Sequence, residues 1–218
     1  MPRFTRPAIV AAMAALAFGS VAVAKVAPEI VAALANPARA DQQDQDARRK
    51  AAEVLAFSGV KPGWQVVDFV PGSGYWTRIF TNIVGSQGHV YAVYPAFAAP
   101  DIGDTLTKLQ GLNLANVTAT AQSDDMLSLP APVDMVWTVQ NYHDIPLDEV
   151  KAFNASVFKA LRKGGTYMII DHADAPFRGV ADVATLHRID PLVVRNEVVG
   201  AGFTFVGESK VLANKADD

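Results

Sequence analysis

A chain of 218 residues, half of them hydrophobic and 19% charged, has the length and apolar content for one core of ordinary size and is not a disordered polymer. Its net charge of −3 offers no basic excess to neutralise phosphates, which argues against nucleic acid as a partner. It has no cysteine, so disulfides, thiolate metal sites and cysteine nucleophiles are excluded.

Arg3 and Arg6 are the only charges before Lys25, and the run from Pro7 to Ala24 is apolar apart from Gly19 and Ser20. Ala22-Val23-Ala24 then presents small residues where a signal peptidase reads them. The expectation is a signal peptide over residues 1–24, cleaved to leave Lys25 first. That predicts a periplasmic or secreted protein with no stable membrane insertion after cleavage. Residues 25–45, alanine-rich with Pro28 and Pro37, read as a loosely attached helical or linker arm, and residues 46–218 as one domain.

Along that domain, Asp46 to Phe57 has helical spacing with Ala47, Ala51, Val54, Leu55 and Phe57 towards one side, and Arg48, Arg49 and Lys50 mostly on the other. Trp64 to Val70 predicts a buried strand, Pro71 to Gly74 a tight loop, Tyr75 to Val84 a helix and His89 to Tyr94 a second strand. A helix over Asp104 to Gln110 precedes a third strand, Val117 to Ala121, and a fourth, Val133 to Val139. Leu147 to Arg162 is an amphipathic helix stopped by Lys163-Gly164-Gly165. Thr166 to Ile170 is a fifth strand, Asp182 to Gly200 is mostly helical with a break at Pro191, and Phe203 to Val206 is a sixth strand. Strands alternating with helices predict an α/β fold: a Rossmann-like, doubly wound, mostly parallel sheet with helices on both faces. Ligands of such sheets bind beyond the carboxyl ends of the strands.

One such end carries a glycine loop, Asp68-Phe69-Val70-Pro71-Gly72-Ser73-Gly74, where bare backbone can approach a ligand. The third glycine of a dinucleotide fingerprint is replaced by Thr77, which points away from a nicotinamide or flavin site. Val66-Val67-Asp68 with Gly72 and Gly74, the strand Val133-Asp134-Met135-Val136-Trp137 and the turn Leu161 to Tyr167 together resemble the class I S-adenosylmethionine-dependent methyltransferases. More closely, Pro71 to Thr77, Asn141-Tyr142-His143-Asp144, Ile170-Asp171-His172 and Thr185 to Asp190 resemble a group of exported bacterial proteins described as predicted methyltransferases. The resemblance runs from Asp46 to the C-terminus. The chain departs from the superfamily at Val70, where a glycine is usual. It departs again at Tyr94-Pro95, where an acid usually follows strand two, and in a seventh strand that is apparently missing. The last departure, with an apolar sixth strand, predicts a marginal sheet edge and a possible homo-oligomer.

The resemblance implies S-adenosylmethionine as cofactor, held by Asp68, Pro71, Gly72, Ser73, Gly74, Tyr75, Tyr94, Asp124, Asp125 and Asn141. It implies a small-molecule or exported methyl acceptor facing His143 and Asp144. His143 is the candidate base, since imidazole changes charge near neutral pH, and Asp144 its orienting partner. Tyr75 and Trp76 are alternatively core residues or faces for a sulfonium. His143, His172 and His187 with Asp144, Asp171 and Asp174 share one predicted rim. That is a metal-type composition, but no local ligand spacing accompanies it and no metal is assigned. These residues are compatible with a methyltransferase, with a binding module of the same fold and with a metal-assisted hydrolase.

Overall fold

The computed structural model describes residues 26–214 and 216, so the expected signal peptide lies outside the described residues. Five strands form one wholly parallel sheet in the order β3-β2-β1-β4-β5: β1 Gln65–Phe69, β2 His89–Tyr94, β3 Val117–Ala121, β4 Val133–Val139 and β5 Leu161–Ile170. The helices are α1 Pro28–Leu34, α2 Ala51–Ser58, α3 Tyr75–Val84, α4 Ala99–Ile102, α5 Thr105–Gly111, α6 Val150–Ala160, α7 Val183–Leu186 and α8 Pro191–Gly200. The doubly wound α/β reading therefore holds.

The alternation of side chains along β1 and β4 sorts the core into two layers. Val66, Met135 and Trp137 point to the side of α1, α2 and α3, where they meet Ile30, Leu55, Ile79 and Phe80. Val67, Phe69 and Val136 point to the other side, against Phe153 and Val157 of α6 and Val194 and Val198 of α8. Trp137 is fully buried and packs edge-on against Trp76 at 5.0 Å and Phe80 at 5.1 Å.

Several expected boundaries shift, each for a local reason. The helix expected from Asp46 starts only at Ala51, because Lys50 is left-handed (φ 45°) and the Asp46 carboxylate is held by Arg39 and Tyr75. Phe57 is exposed rather than core-facing. The helix expected over Leu147 to Arg162 is the shorter α6, leaving Leu147 exposed. Leu161 already belongs to β5, and Gly164 (φ 78°) sits in an irregularity that shifts the β4–β5 register between Val133 and Met135. The arm is not loose: Ile30 and Ala33 are buried against the core, and Arg39 is buried with them.

The expected sixth strand is a correction. Phe203 to Val206 form no strand; Phe203 packs its ring on Phe158 at 5.0 Å and Tyr167 at 5.5 Å, which draws the chain onto α6 and β5 side chains instead of the β5 edge. Val206 is 90% exposed. Among the described residues β5 is an outer strand of the sheet, and neither a sixth nor a seventh is present.

Gly74 has a structural duty as well. It is left-handed (φ 79°) as the N-cap of α3, and a Cβ there would stand 2.7 Å from the buried Leu109 side chain. Gly72 is also left-handed (φ 54°), but a Cβ there meets nothing within 4 Å. A side chain at Gly74 would therefore press on Leu109 as well as strain the backbone. We expect Gly72→Ala to cost about 1 kcal/mol of left-handed strain, and Gly74→Ala to cost about 2–3 kcal/mol once overpacking is added. Urea unfolding of the two variants measures the difference; equal losses would mean that Leu109 does not confine Gly74.

Candidate active site

β1 and β4 lie side by side in the centre of the sheet, and both end in the same way. Val70 follows β1 with φ 54° and Gln140 follows β4 with φ 61°. Each still donates its backbone N–H to the neighbouring strand, Val70 to Val93 O (2.8 Å) and Gln140 to Ile170 O (2.7 Å), before the chain turns away. Left-handed backbone is unfavourable for such residues, above all for β-branched valine, and strain of this kind collects at functional sites. Val70 stands where the superfamily resemblance expects glycine, which is the residue this backbone angle favours. The Asn141 amide ties the two turns together, donating to Val139 O (2.6 Å) and weakly to Val70 O (3.4 Å).

Between the turns is a cleft of about 260 Å³, lined by Asp68, Val70, Pro71, Gly72, Ser73, Tyr75, Trp76, Gln140 and Asn141 together with Arg49 and Val139. Six of the residues expected to hold a cofactor therefore meet here: Asp68, Pro71, Gly72, Ser73, Tyr75 and Asn141. Gly72 and Ser73 are exposed, so their backbone is open to a ligand. Asp68 is buried at the cleft floor and accepts a 2.6 Å bond from the Thr77 hydroxyl. Burial pushes its carboxyl up to about 7, and hydrogen bonds from Thr77 oppose the rise. Trp76 borders the cleft, and its indole N–H is buried without an acceptor.

Four expected cofactor residues do not line this cleft. Gly74 faces Leu109. Tyr94 is buried, and its hydroxyl donates to Gly72 O at 2.7 Å, so it braces the loop from below. Asp125 accepts from the Phe97 N–H (2.6 Å) and Asp124 from the Met126 N–H (3.0 Å), both capping the loops after β2 and β3. Tyr75 and Trp76 are both buried; Trp76 belongs to the tryptophan stack, and guanidinium groups already sit over the Tyr75 ring, Arg49 at 4.5 Å and Arg39 at 5.4 Å.

Arg49 and Gln140 line the cleft without having been expected to hold the cofactor, although Gln140 lies at a strand end where a ligand is expected. Arg49 sits in an Arg48-Arg49-Lys50 run that reads as a solvated helix face, but the delayed start of α2 turns it into the cleft. Partial burial and the neighbouring Arg48 lower its affinity for its proton. Gln140 joins the cleft to the histidine rim, its Nε2 lying 2.7 Å from His172 Nε2.

That rim does assemble. His143 and His172 are 6.3 Å apart between ring centroids, and His143 and His187 are 5.4 Å apart. His143 is buried, and its orienting partner is Asp171 rather than the expected Asp144. Nδ1 of His143 lies 2.7 Å from Asp171 Oδ1, and Asp171 also accepts the backbone N–H of His143 (2.9 Å) and of His172 (2.8 Å). Asp144 is on the other side of the ring, 3.3 Å from Nε2, and is exposed. A carboxylate fixing Nδ1 leaves Nε2 as the working nitrogen.

The comparisons with known proteins agree with this architecture. No protein-family model matches the chain. It is 30% identical over 137 residues to the ubiquinone/menaquinone biosynthesis C-methyltransferase UbiE of Vibrio campbellii, covering 60% of this chain and 51% of that protein. The chain thus spans about half the length of the curated relatives it matches. Among solved structures, an S-adenosylmethionine-dependent methyltransferase from Aquifex aeolicus superposes with a TM-score of 0.54 at 22% identity, over 83% of this chain and 90% of that one. An S-adenosylmethionine-dependent methyltransferase from Mesorhizobium loti gives 0.56 at 16% identity, over 75% and 84%. The chain has the class I methyltransferase fold. Its sequence is related to the UbiE methyltransferases.

The state of Asp68 makes a pH prediction. An unfolded aspartate titrates near 3.9, so between about pH 4 and 7 the folded protein keeps a proton that the unfolded chain has lost. Stability from this group is full below about pH 4 and declines as the pH rises towards 7. Asp68→Asn removes the decline. The urea midpoint of the unsubstituted protein, minus that of Asp68→Asn, should therefore fall from pH 4.5 to 7.5; a constant difference would contradict a buried, protonated carboxyl.

Proposed function

We propose that the chain is an S-adenosylmethionine-dependent methyltransferase acting on a small-molecule or exported acceptor. The observation that carries this reading is the cleft at the joint carboxyl ends of β1 and β4, where the open backbone of Gly72-Ser73 faces the buried Asp68. The fold and the relatives support it. The residues fit the cofactor: the Asp68 carboxyl at the cleft floor gives up its proton beside a cationic amino group and then accepts from it, and Gly72 leaves room for a close backbone approach. Asp68, Gly72, Ser73, Tyr75 and Asn141 would hold it, with the Arg49 guanidinium available for a carboxylate.

S-adenosylmethionine supplies a methyl group already activated by its sulfonium. The protein then has to align the acceptor, exclude water and manage one proton. Asn141 fixes the relation between the two turns, and Gln140 links the cleft to the rim where His143 stands. His143, locked through Nδ1 by Asp171, accepts the acceptor's proton at Nε2. A second reading, a binding module of the same fold, draws on Tyr94: its hydroxyl is spent on Gly72, and no acid follows β2 to take a ribose.

Calorimetry with S-adenosylmethionine and S-adenosylhomocysteine is the test. We expect one site per chain with a micromolar Kd, about −8 kcal/mol, weakened about tenfold or more in Asp68→Ala. Heat-silent titrations with both compounds would end the methyltransferase reading.

We also propose that the protein is exported and works in the periplasm or outside the cell, on the strength of the basic, apolar and small-residue succession over residues 1–24. Mass spectrometry of protein from a fractionated host should find Lys25 as the first residue. Recovery of the chain with Met1 to Ala24 attached counts against export by cleavage.

A further inference from the structure

We propose that His143, Asp144 and His187 form a binding site for one divalent first-row metal ion, zinc or iron(II), on the rim beside the cleft. The site is built from three separate stretches of chain. His143 and Asp144 follow β4 in a short 3-10 turn, Tyr142–Asp144. His187 arrives from 44 residues further on in the numbering of the chain. A bridge between Ala173 and Ile189, with bonds from Ile189 N to His172 O (3.0 Å) and from Asp174 N to Ile189 O (3.0 Å), closes the long segment after β5 and brings His187 back over the end of β4. Asp171, which follows β5, supports the group from below.

The donor atoms are spaced for an ion. His143 Nε2 lies 3.3 Å from Asp144 Oδ1, His187 Nδ1 lies 3.8 Å from the same oxygen, and one ligand atom from each residue falls within 4.8 Å of the others. Metal–nitrogen and metal–oxygen bonds of about 2.0–2.2 Å at tetrahedral angles set neighbouring ligand atoms about 3.3–3.6 Å apart. Both carboxylate contacts are longer than the roughly 2.7–2.9 Å of a charge-assisted hydrogen bond. His187 and Asp144 are 66% and 44% exposed, so small rotations close the remaining gap.

The support beneath the ligands distinguishes this group from an ordinary surface pair. His143 is 4% exposed and Asp171 7%, and Nδ1 of His143 is fixed on Asp171 at 2.7 Å. Carboxylate–histidine pairs of this kind hold the ring and its tautomer for metal ligation and raise the basicity of the free nitrogen. With Nδ1–H donated to Asp171, a neutral ring turns the Nε2 lone pair to the Asp144 carboxylate, which sets two acceptors side by side. A cation placed between them satisfies both, along with His187. Two imidazoles and one carboxylate suit zinc and iron(II) alike and leave coordination positions for water or an oxygen of an acceptor. His172 is outside the set, since its Nε2 is engaged by Gln140. In the metal-loaded protein His143 Nε2 is a ligand, and proton management passes to whatever occupies the open positions.

This site does not rest on the methyltransferase reading, and the measurements keep the two apart. The full chain is stripped with a chelator and titrated with zinc alone and, under anaerobic conditions, with iron(II) alone. S-adenosylhomocysteine binding to the stripped protein is measured separately and reports on the cleft. We expect uptake of one ion per chain, the preferred ion being the one bound more tightly. Asp144→Asn and His187→Asn should each weaken it at least tenfold without moving the urea midpoint, asparagine being tolerant of the left-handed backbone at His187 (φ 53°). Asp171→Asn, which loosens the ring without removing a ligand, should weaken it by about 10- to 100-fold. Sub-stoichiometric uptake of both ions, or uptake indifferent to Asp144→Asn and His187→Asn, would overturn the assignment.

Discussion

β1 is hydrogen-bonded along both edges, to β2 and to β4, and residues Val66 to Phe69 are buried on both faces. A strand enclosed in this way has no room for a gradual exit. Its last ladder bond is donated by Val70 from a left-handed backbone, and the same device recurs at Gln140 after β4. The two abrupt turns leave a cleft between them, with Asp68 at its floor. The burial that makes β1 a good central strand is also what keeps that carboxyl protonated to about pH 7. Parallel pairing at the middle of the sheet thus sets the position, the shape and the charge state of the candidate site.

The N-terminal segment contributes through a second, partly buried polar contact. Asp46 accepts from Arg39 Nη2 at 2.8 Å and from the Tyr75 hydroxyl at 2.6 Å, and Arg39 also donates to Leu34 O at 2.9 Å. Arg39 is buried and Asp46 is 22% exposed, so the pair adds little net stability, but removing Asp46 would deprive the buried guanidinium of its counter-charge, and the group works as a position-setter. Here it joins the turn before α2 to the start of α3, and in doing so carries Arg49 to the cleft.

Much of this fold is legible in the sequence because parallel strands buried on both faces are written as short apolar runs. Val133 to Val139, His89 to Tyr94 and the helix Tyr75 to Val84 emerge with the expected bounds. The glycine loop is legible too, since glycine marks backbone that other residues avoid. What the sequence hides is anything decided by a backbone angle on an ordinary residue or by a long-range partner. Lys50 gives no sign that it ends one turn and starts a helix, so Arg49 reads as solvent-facing. Asp144, adjacent to His143, looks like its partner, whereas Asp171 is 28 residues away and becomes the partner only because β4 and β5 are neighbours. Phe203 to Val206 has the composition of a strand and is diverted by the rings of Phe158 and Tyr167.

The tryptophan stack gives the molecule a built-in optical signal. Trp76 and Trp137 are two of its three tryptophans, and their rings lie 5.0 Å apart and 60° askew in a rigid, apolar setting. Two indoles held at that separation exchange excitation, and their fixed mutual angle gives a chiral near-ultraviolet band that vanishes when packing is lost. Trp76 also borders the cleft, so a ligand there changes the surroundings of its ring. Emission colour and circular dichroism of the unlabelled protein therefore report on the core and on the cleft through this pair, over the contribution of the third, half-buried tryptophan, Trp64.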